Sequence, residues 1–188
     1  AHQFGDDVRR TQIEAQHHRQ SPRAQHAAGS LLARVPDATV ENSQTYIWAK
    51  LHFARATELD ENFKMGLVSQ IGLECRASGG TDPVHVAELS RRLSSTPFGP
   101  GDSTSLHLIK EIAIRGPCLK RTDVERIFFS TFSNSSLTPV LLAMAHSWLA
   151  DYYVLGARDY TEGWSHLRKS LEIVPFNAST QLKLAQLA

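Results

Sequence analysis

The residues in this chain with the strongest capacity for chemistry are nine histidines and two cysteines. Metal binding needs three or four ligands converging on one point. His17-His18 is adjacent in a helix-permissive stretch, so the two rings diverge, and no cysteine or carboxylate pair stands beside them. His52, His107, His146 and His166 stand singly in helical patterns, and each reads as a packed or half-exposed residue. Acyl transfer, phosphoryl transfer and metal-assisted hydrolysis each need a further signature. Gly79-Gly80 and Gly99-Pro100-Gly101 lack the preceding strand and the lysine of a phosphate loop, and neither a nucleophile elbow nor an HExxH pair is present. No catalytic residue, metal ligand or cofactor is assigned, and the segment is expected not to be an enzyme. His146, Tyr152, Tyr153 and Trp164 suggest an aromatic pocket, but aromatics at helical spacing are first read as core. Arg91-Arg92 and Lys120-Arg121 read as solvated pairs. Asn134-Ser-Ser and Asn177-Ala-Ser match the glycosylation acceptor pattern.

The elements that must position these residues are helical. Leu141, Ala145, Trp148, Tyr152 and Leu155 form one stripe with steps of three and four; Trp164, Leu167, Leu171 and Val174 form a second. Gly156-Ala157-Arg158-Asp159 lies between them, with Gly156 placed for a left-handed helix end, and Pro175 stops the second helix. Ser21-Pro22 opens a helix whose stripe is Ala24, Ala28, Leu31 and Leu32. After the loop Val35–Ser43, TYIWAKLHFARATEL carries Ala49, Phe53 and Ala56 in a small-large-small pattern. A helix over Phe63–Ala77 ends at Ser78-Gly79-Gly80, and Thr81-Asp82-Pro83 starts the next, with Val86, Leu89 and Leu93 inward. Thr96–Gly101 is the strongest break and reads as a loop between hairpins. Leu106–Ile114 is a helix, Thr122–Glu125 a capping box, and Asn177–Ala188 a last helix with Leu182 and Ala185 stacking back. Sustained alternation is absent, so the fold class is all-α, in antiparallel hairpins over a single domain of residues 1–188.

Composition narrows the partners. A net charge of +1 with 21% charged residues gives no footprint for nucleic acid. The longest apolar runs, such as Val140–Ala145, are too short to span a bilayer, and AHQFGDDVRR has no apolar signal segment. An opening Ala and a closing Leu184–Ala188 in mid-pattern read as a piece cut from a longer protein.

Leu149-Ala150, Tyr153, Gly163, Leu167, Ser170 and Pro175 resemble a tetratricopeptide repeat, with a turn one residue longer than the 34-residue unit. Ala28-Gly29 with Leu32, then Ala49, Phe53 and Ala56, then Asp60-Glu61-Asn62, resemble a second; Ile71-Gly72 with Cys75 resembles a third. The resemblance implies a solenoid of stacked hairpins sharing a continuous core. Over SPRAQHAAGSLLA, HFARATELDENF, GLECRASGG, Thr96-Pro97-Phe98, RGPC and the hairpin at 146–177, the chain is also similar to repeat-containing tails of bacterial membrane glycosyltransferases and O-antigen polymerase-ligase proteins.

Two functions follow. The first is a non-catalytic repeat module mediating protein–protein interaction, binding a protein or peptide. The second, implied by the tail resemblance, is a periplasmic accessory domain that contacts partners or an anionic glycan; without that resemblance a cytoplasmic location is the alternative. The repeat frame points Arg23, His26, Arg34, Arg76 and Asp151 toward a concave binding face. Cys75 and Cys118, the only cysteines, would pair in an oxidising compartment. As a buried apolar thiol, Cys75 would instead stay free. The apolar C-terminal helix is expected to find cover by homodimerisation or in further repeats of a parent chain.

Overall fold

A computed structural model describes residues 2–40, 43–77 and 82–187. Among them are ten α-helices and no strand: α1 His2–His17, α2 Pro22–Leu32, α3 Gln44–Leu59, α4 Lys64–Glu74, α5 Pro83–Ser94, α6 Ser103–Arg115, α7 Arg121–Phe132, α8 Pro139–Asp151, α9 Tyr160–Ile173 and α10 Ala178–Leu187. The expected break at Ser78-Gly79-Gly80, and Thr81 after it, lie outside the described residues. The chain divides into two compact units, Ala1–Leu89 and Ser90–Ala188.

Most helix starts follow from local side-chain chemistry. The Ser21 hydroxyl accepts from Ala24 N ahead of Pro22, and Thr138 accepts from Leu141 N ahead of Pro139. Asp82 accepts from the amides of Val84 and His85, and Asn177 from that of Thr180. Each satisfies amides that have no partner inside the helix. The capping box expected at Thr122–Glu125 does not form. α7 begins two residues earlier than a Thr122 cap would set it, at Arg121, with no side-chain cap, and Glu125 is engaged elsewhere.

In the first unit, α2 and α3 form a hairpin whose closest approach is set by Gly29. A methyl group there would sit 2.7 Å from the Phe53 ring and 3.2 Å from the Ala49 carbonyl. Ala49, Phe53 and Ala56 are buried, as their small-large-small spacing requires, and Leu32, Tyr46 and Leu73 pack into the same cluster. Gly66 gives α4 a similar approach: a methyl there would come 2.7 Å from Thr57 Cγ2.

In the second unit, α8 and α9 form the corresponding hairpin, with Gly163 facing Val154 and the Ala150 carbonyl. Ser170 donates to the Ala143 carbonyl at 2.8 Å, another small residue bringing the two helices together. The link departs from expectation. Tyr152–Ala157 is a π turn, and the left-handed residue is Arg158 (φ 57°), not Gly156. A π turn takes up one extra residue without breaking the helix, and the reversal falls two residues after Gly156. The same phase change leaves Leu155 exposed, and Trp164 also faces outward. The last helix is rotated from its expected phase as well. Its Asn177 cap and the Thr180–Ser170 hydroxyl contact turn Thr180 inward, leaving Leu182 and Ala185 in solvent.

Gly163→Leu must displace Val154 or separate α8 from α9. It should destabilise by about 1–3 kcal/mol, read in urea unfolding; an unchanged midpoint would contradict the close approach. Arg158→Gly removes a left-handed non-glycine residue and should raise the melting temperature, by on the order of 1 kcal/mol of stability.

Candidate functional site

Three of the five residues expected on a binding face are exposed and lie in the first unit. Arg23 sits in the first turn of α2, Arg34 just beyond its end, and Arg76 just beyond α4, where its Nε donates to the Gly72 carbonyl at 3.0 Å. His26 is half-buried instead. Its Nε2 lies 2.9 Å from Ser69 Oγ, and its ring packs beside Phe53 and Phe63, so it ties α2 to α4. Burial lowers its pKa, which keeps it neutral at pH 7. Asp151 belongs to the second unit and is ion-paired with Lys183 at 2.8 Å.

The most distinctive surface of the first unit lies along α3. Helix packing buries Tyr46, Ala49, Phe53 and Ala56 and leaves a second stripe uncovered: Ile47, Trp48 and Leu51 are 39%, 42% and 62% exposed. Beside it is a groove of about 380 Å³, lined by Gln25 of α2 and by Trp48, Leu51, His52, Ala54, Arg55 and Glu58 of α3. Arg55 and Glu58 pair at 3.0 Å. His52 Nδ1 lies 2.8 Å from Gln25 Oε1, and Gln25 Nε2 donates 2.9 Å to the Ala15 carbonyl on α1. Sequence inspection missed this face because the Ala49/Phe53/Ala56 stripe accounted for α3. The available signal was a second apolar run at 47, 48 and 51.

Two buried polar clusters were also invisible in sequence. In the first unit Glu74, 4% exposed, accepts from the Tyr46 hydroxyl at 2.8 Å and lies 2.7 Å from Lys50 Nζ and 3.7 Å from His85 Nε2. In the second unit His146 and His166, expected to stand alone, meet at 2.9 Å between their Nδ1 atoms. One ring therefore carries its proton on Nδ1 and the other on Nε2. Phe132 stacks on His146 at 4.0 Å and Tyr153 on His166 at 5.5 Å. Burial is the main cause that pushes both imidazoles down to about 4; the His166 ring and then Lys169 add to it at His146, and Lys169 adds to it at His166, where Glu125 acts the other way. The pair is a neutral hydrogen bond inside an aromatic box.

Lys120-Arg121 is not a simple solvated pair. Arg121 donates to Glu125 at 2.7 Å and to Asp159 at 2.9 Å, and lies over the Tyr153 ring. The Tyr153 hydroxyl donates to Glu125 at 2.8 Å, and burial followed by that carboxylate raises its pKa. This network fastens α7 to the α8–α9 link. Of the aromatics read as core, Tyr152 and Tyr153 are buried, whereas Trp164 is 40% exposed with Arg168 over its ring at 4.9 Å. The amide of Asn134 donates to the Phe98 carbonyl at 2.8 Å, so this acceptor-pattern residue is engaged internally. Both Cys75 and Cys118 are disulfide-bonded. Among the described residues no group of three or more metal-ligating side chains converges, and no helix is long and apolar enough to cross a membrane. No family model, curated protein or solved structure matches the chain.

The histidine pair gives the second unit an acid limit. An unfolded histidine titrates near 6.5, whereas both folded imidazoles titrate near 4. Between those values the unfolded chain binds more protons, so this contribution to stability is complete above 6.5 and is lost as pH falls toward 4. The melting temperature should drop between about pH 7 and about pH 4.5. A His146→Phe/His166→Phe variant should show a shallower drop; an equally steep one would assign the acid loss to carboxylates.

Proposed function

We propose that this chain is a helical interaction module that holds a protein or peptide partner on the uncovered face of α3. The observation that carries this reading is the stripe of Ile47, Trp48 and Leu51 beside a groove of about 380 Å³. Apolar and aromatic side chains left in solvent on a packed helix are the anchors around which binding energy concentrates. A groove beside a helix accepts a partner segment through a few such anchors. Exposed Arg23, Arg34 and Arg76 extend the same unit's surface with positive charge, which suits an acidic segment or an anionic glycan.

A second reading, an accessory domain of a membrane-embedded glycan-assembly enzyme facing the periplasm, draws support from the bonded cysteines. Disulfides persist in oxidising compartments and are rare in the cytosol.

Leu51→Asp changes a residue 62% exposed and should leave the melting temperature unchanged while abolishing partner capture. Capture retained by that variant would remove α3 from the interface. Charge reversal at Arg23, Arg34 and Arg76 should weaken capture of an anionic partner, and a glycan array probed with both variants separates glycan from peptide. Thiol titration of denatured, unreduced protein should find no free thiol; two free thiols would withdraw the support for the periplasmic reading.

A further inference from the structure

We infer that the α3 groove is a receptor for an aromatic ring bearing its own hydrogen-bond donor, the indole of a Trp or the phenol of a Tyr on a partner polypeptide. The inference rests on the interaction-module reading and specifies its ligand. It begins at Ala15. A carbonyl can only accept, so the nitrogen end of the Gln25 amide must face it, as the 2.9 Å contact requires. The oxygen end then faces His52 Nδ1 at 2.8 Å, and an amide oxygen also can only accept. His52 therefore carries its proton on Nδ1. The two hydrogen bonds settle both the amide orientation and the tautomer, which atomic positions alone leave open.

The consequence lies on the other side of the ring. Burial lowers the His52 pKa, so the imidazole is neutral and its Nε2 holds a bare lone pair. Among the described residues nothing donates to that atom, and His52 is part of the groove wall. The other walls are the Trp48 ring, Leu51 and Ala54, while Arg55 and Glu58 neutralise each other at the rim.

Each property excludes a ligand class. An anion would meet a lone pair and a rim of no net positive charge. A cation would gain no net charge from the rim. An aliphatic side chain would cover Nε2 without satisfying it, and a buried acceptor left unmet costs binding energy. A sugar would bring many hydroxyls to a site with apolar walls and one open acceptor. An aromatic N–H or O–H donor matches what remains: its ring packs edge-on or offset against Trp48 and its hydrogen reaches Nε2. A volume of about 380 Å³ is at the small end of ligand cavities and accommodates one such side chain.

The test compares indole with 1-methylindole, and phenol with anisole, on the full chain. Each pair differs chiefly in the donor. Binding is followed by the ¹⁵N resonances of His52, which should report an Nδ1–H tautomer before any ligand is added. Indole should bind at least about fivefold more tightly than 1-methylindole, the size of one net hydrogen bond, and should shift the Nε2 resonance. His52→Phe should erase the preference. Because the comparison within wild-type protein needs no variant, a folding defect in His52→Phe leaves the test intact. Equal affinity within each pair, no binding by either donor, or an Nε2–H tautomer in the free protein would overturn the assignment. If the probes fail to discriminate while Leu51→Asp still abolishes partner capture, the interaction reading stands and this ligand class falls. If the probes discriminate and capture is indifferent to Leu51→Asp, the ligand class stands and the interaction reading falls.

Discussion

The fold depends on how closely two helices can approach inside a hairpin. In the first unit that distance is set by Gly29 lying on the Phe53 ring and the Ala49 backbone; in the second, by Gly163 lying on Val154 and the Ala150 carbonyl. In each, a missing side chain on one helix admits bulk or backbone from the other. Close packing transmits that constraint outward, because interiors leave few voids to absorb a misfit. Once α2 and α3 are in register, Phe53 and Ala56 are committed inward, and the stripe through Trp48 and Leu51 has nowhere to go but the surface. The surface proposed for binding is therefore a by-product of which face the hairpin consumed.

Polar contacts supply specificity that apolar packing lacks. Apolar contact tolerates sliding; the Tyr153–Glu125–Arg121–Asp159 network does not, because each member is spatially fixed by another. Asp159 also caps α9, and its own amide donates to the Tyr153 carbonyl at 2.8 Å. A single aspartate thus closes the link, starts a helix and anchors α7. Glu74 has a comparable place in the first unit, where a buried carboxylate draws Tyr46, Lys50 and His85 around it.

What was legible in the sequence was local. Ser21-Pro22, Thr138-Pro139 and Asn177 announce helix starts because a cap acts within three residues. Ala49, Phe53, Ala56 and Gly163 announce buried positions because helical periodicity is local too. What was not legible required tertiary information. His146 and His166 are far apart in sequence and become partners only after α8 crosses α9. Gln25 and His52 depend in the same way on α2 meeting α3. The capping box failed because Glu125 had two stronger suitors, Arg121 and Tyr153, neither recognisable from spacing. Gly156 looked like the chain reversal until a π turn moved that reversal to Arg158.

The amide of Gln25 is held at both ends, by the first helix on one side and by an imidazole on the other. Such a group behaves as a lever with two loads. If α1 lifted away, the Ala15 carbonyl would leave, the amide would be free to rotate, and His52 would lose the constraint that selects one tautomer. On the proposal made for the groove, docking of the N-terminal helix and donor preference would be linked, and linkage is reciprocal: a donor on the free imidazole nitrogen would also tighten the hold on α1. A helix that lines no part of the groove would then share in its chemistry.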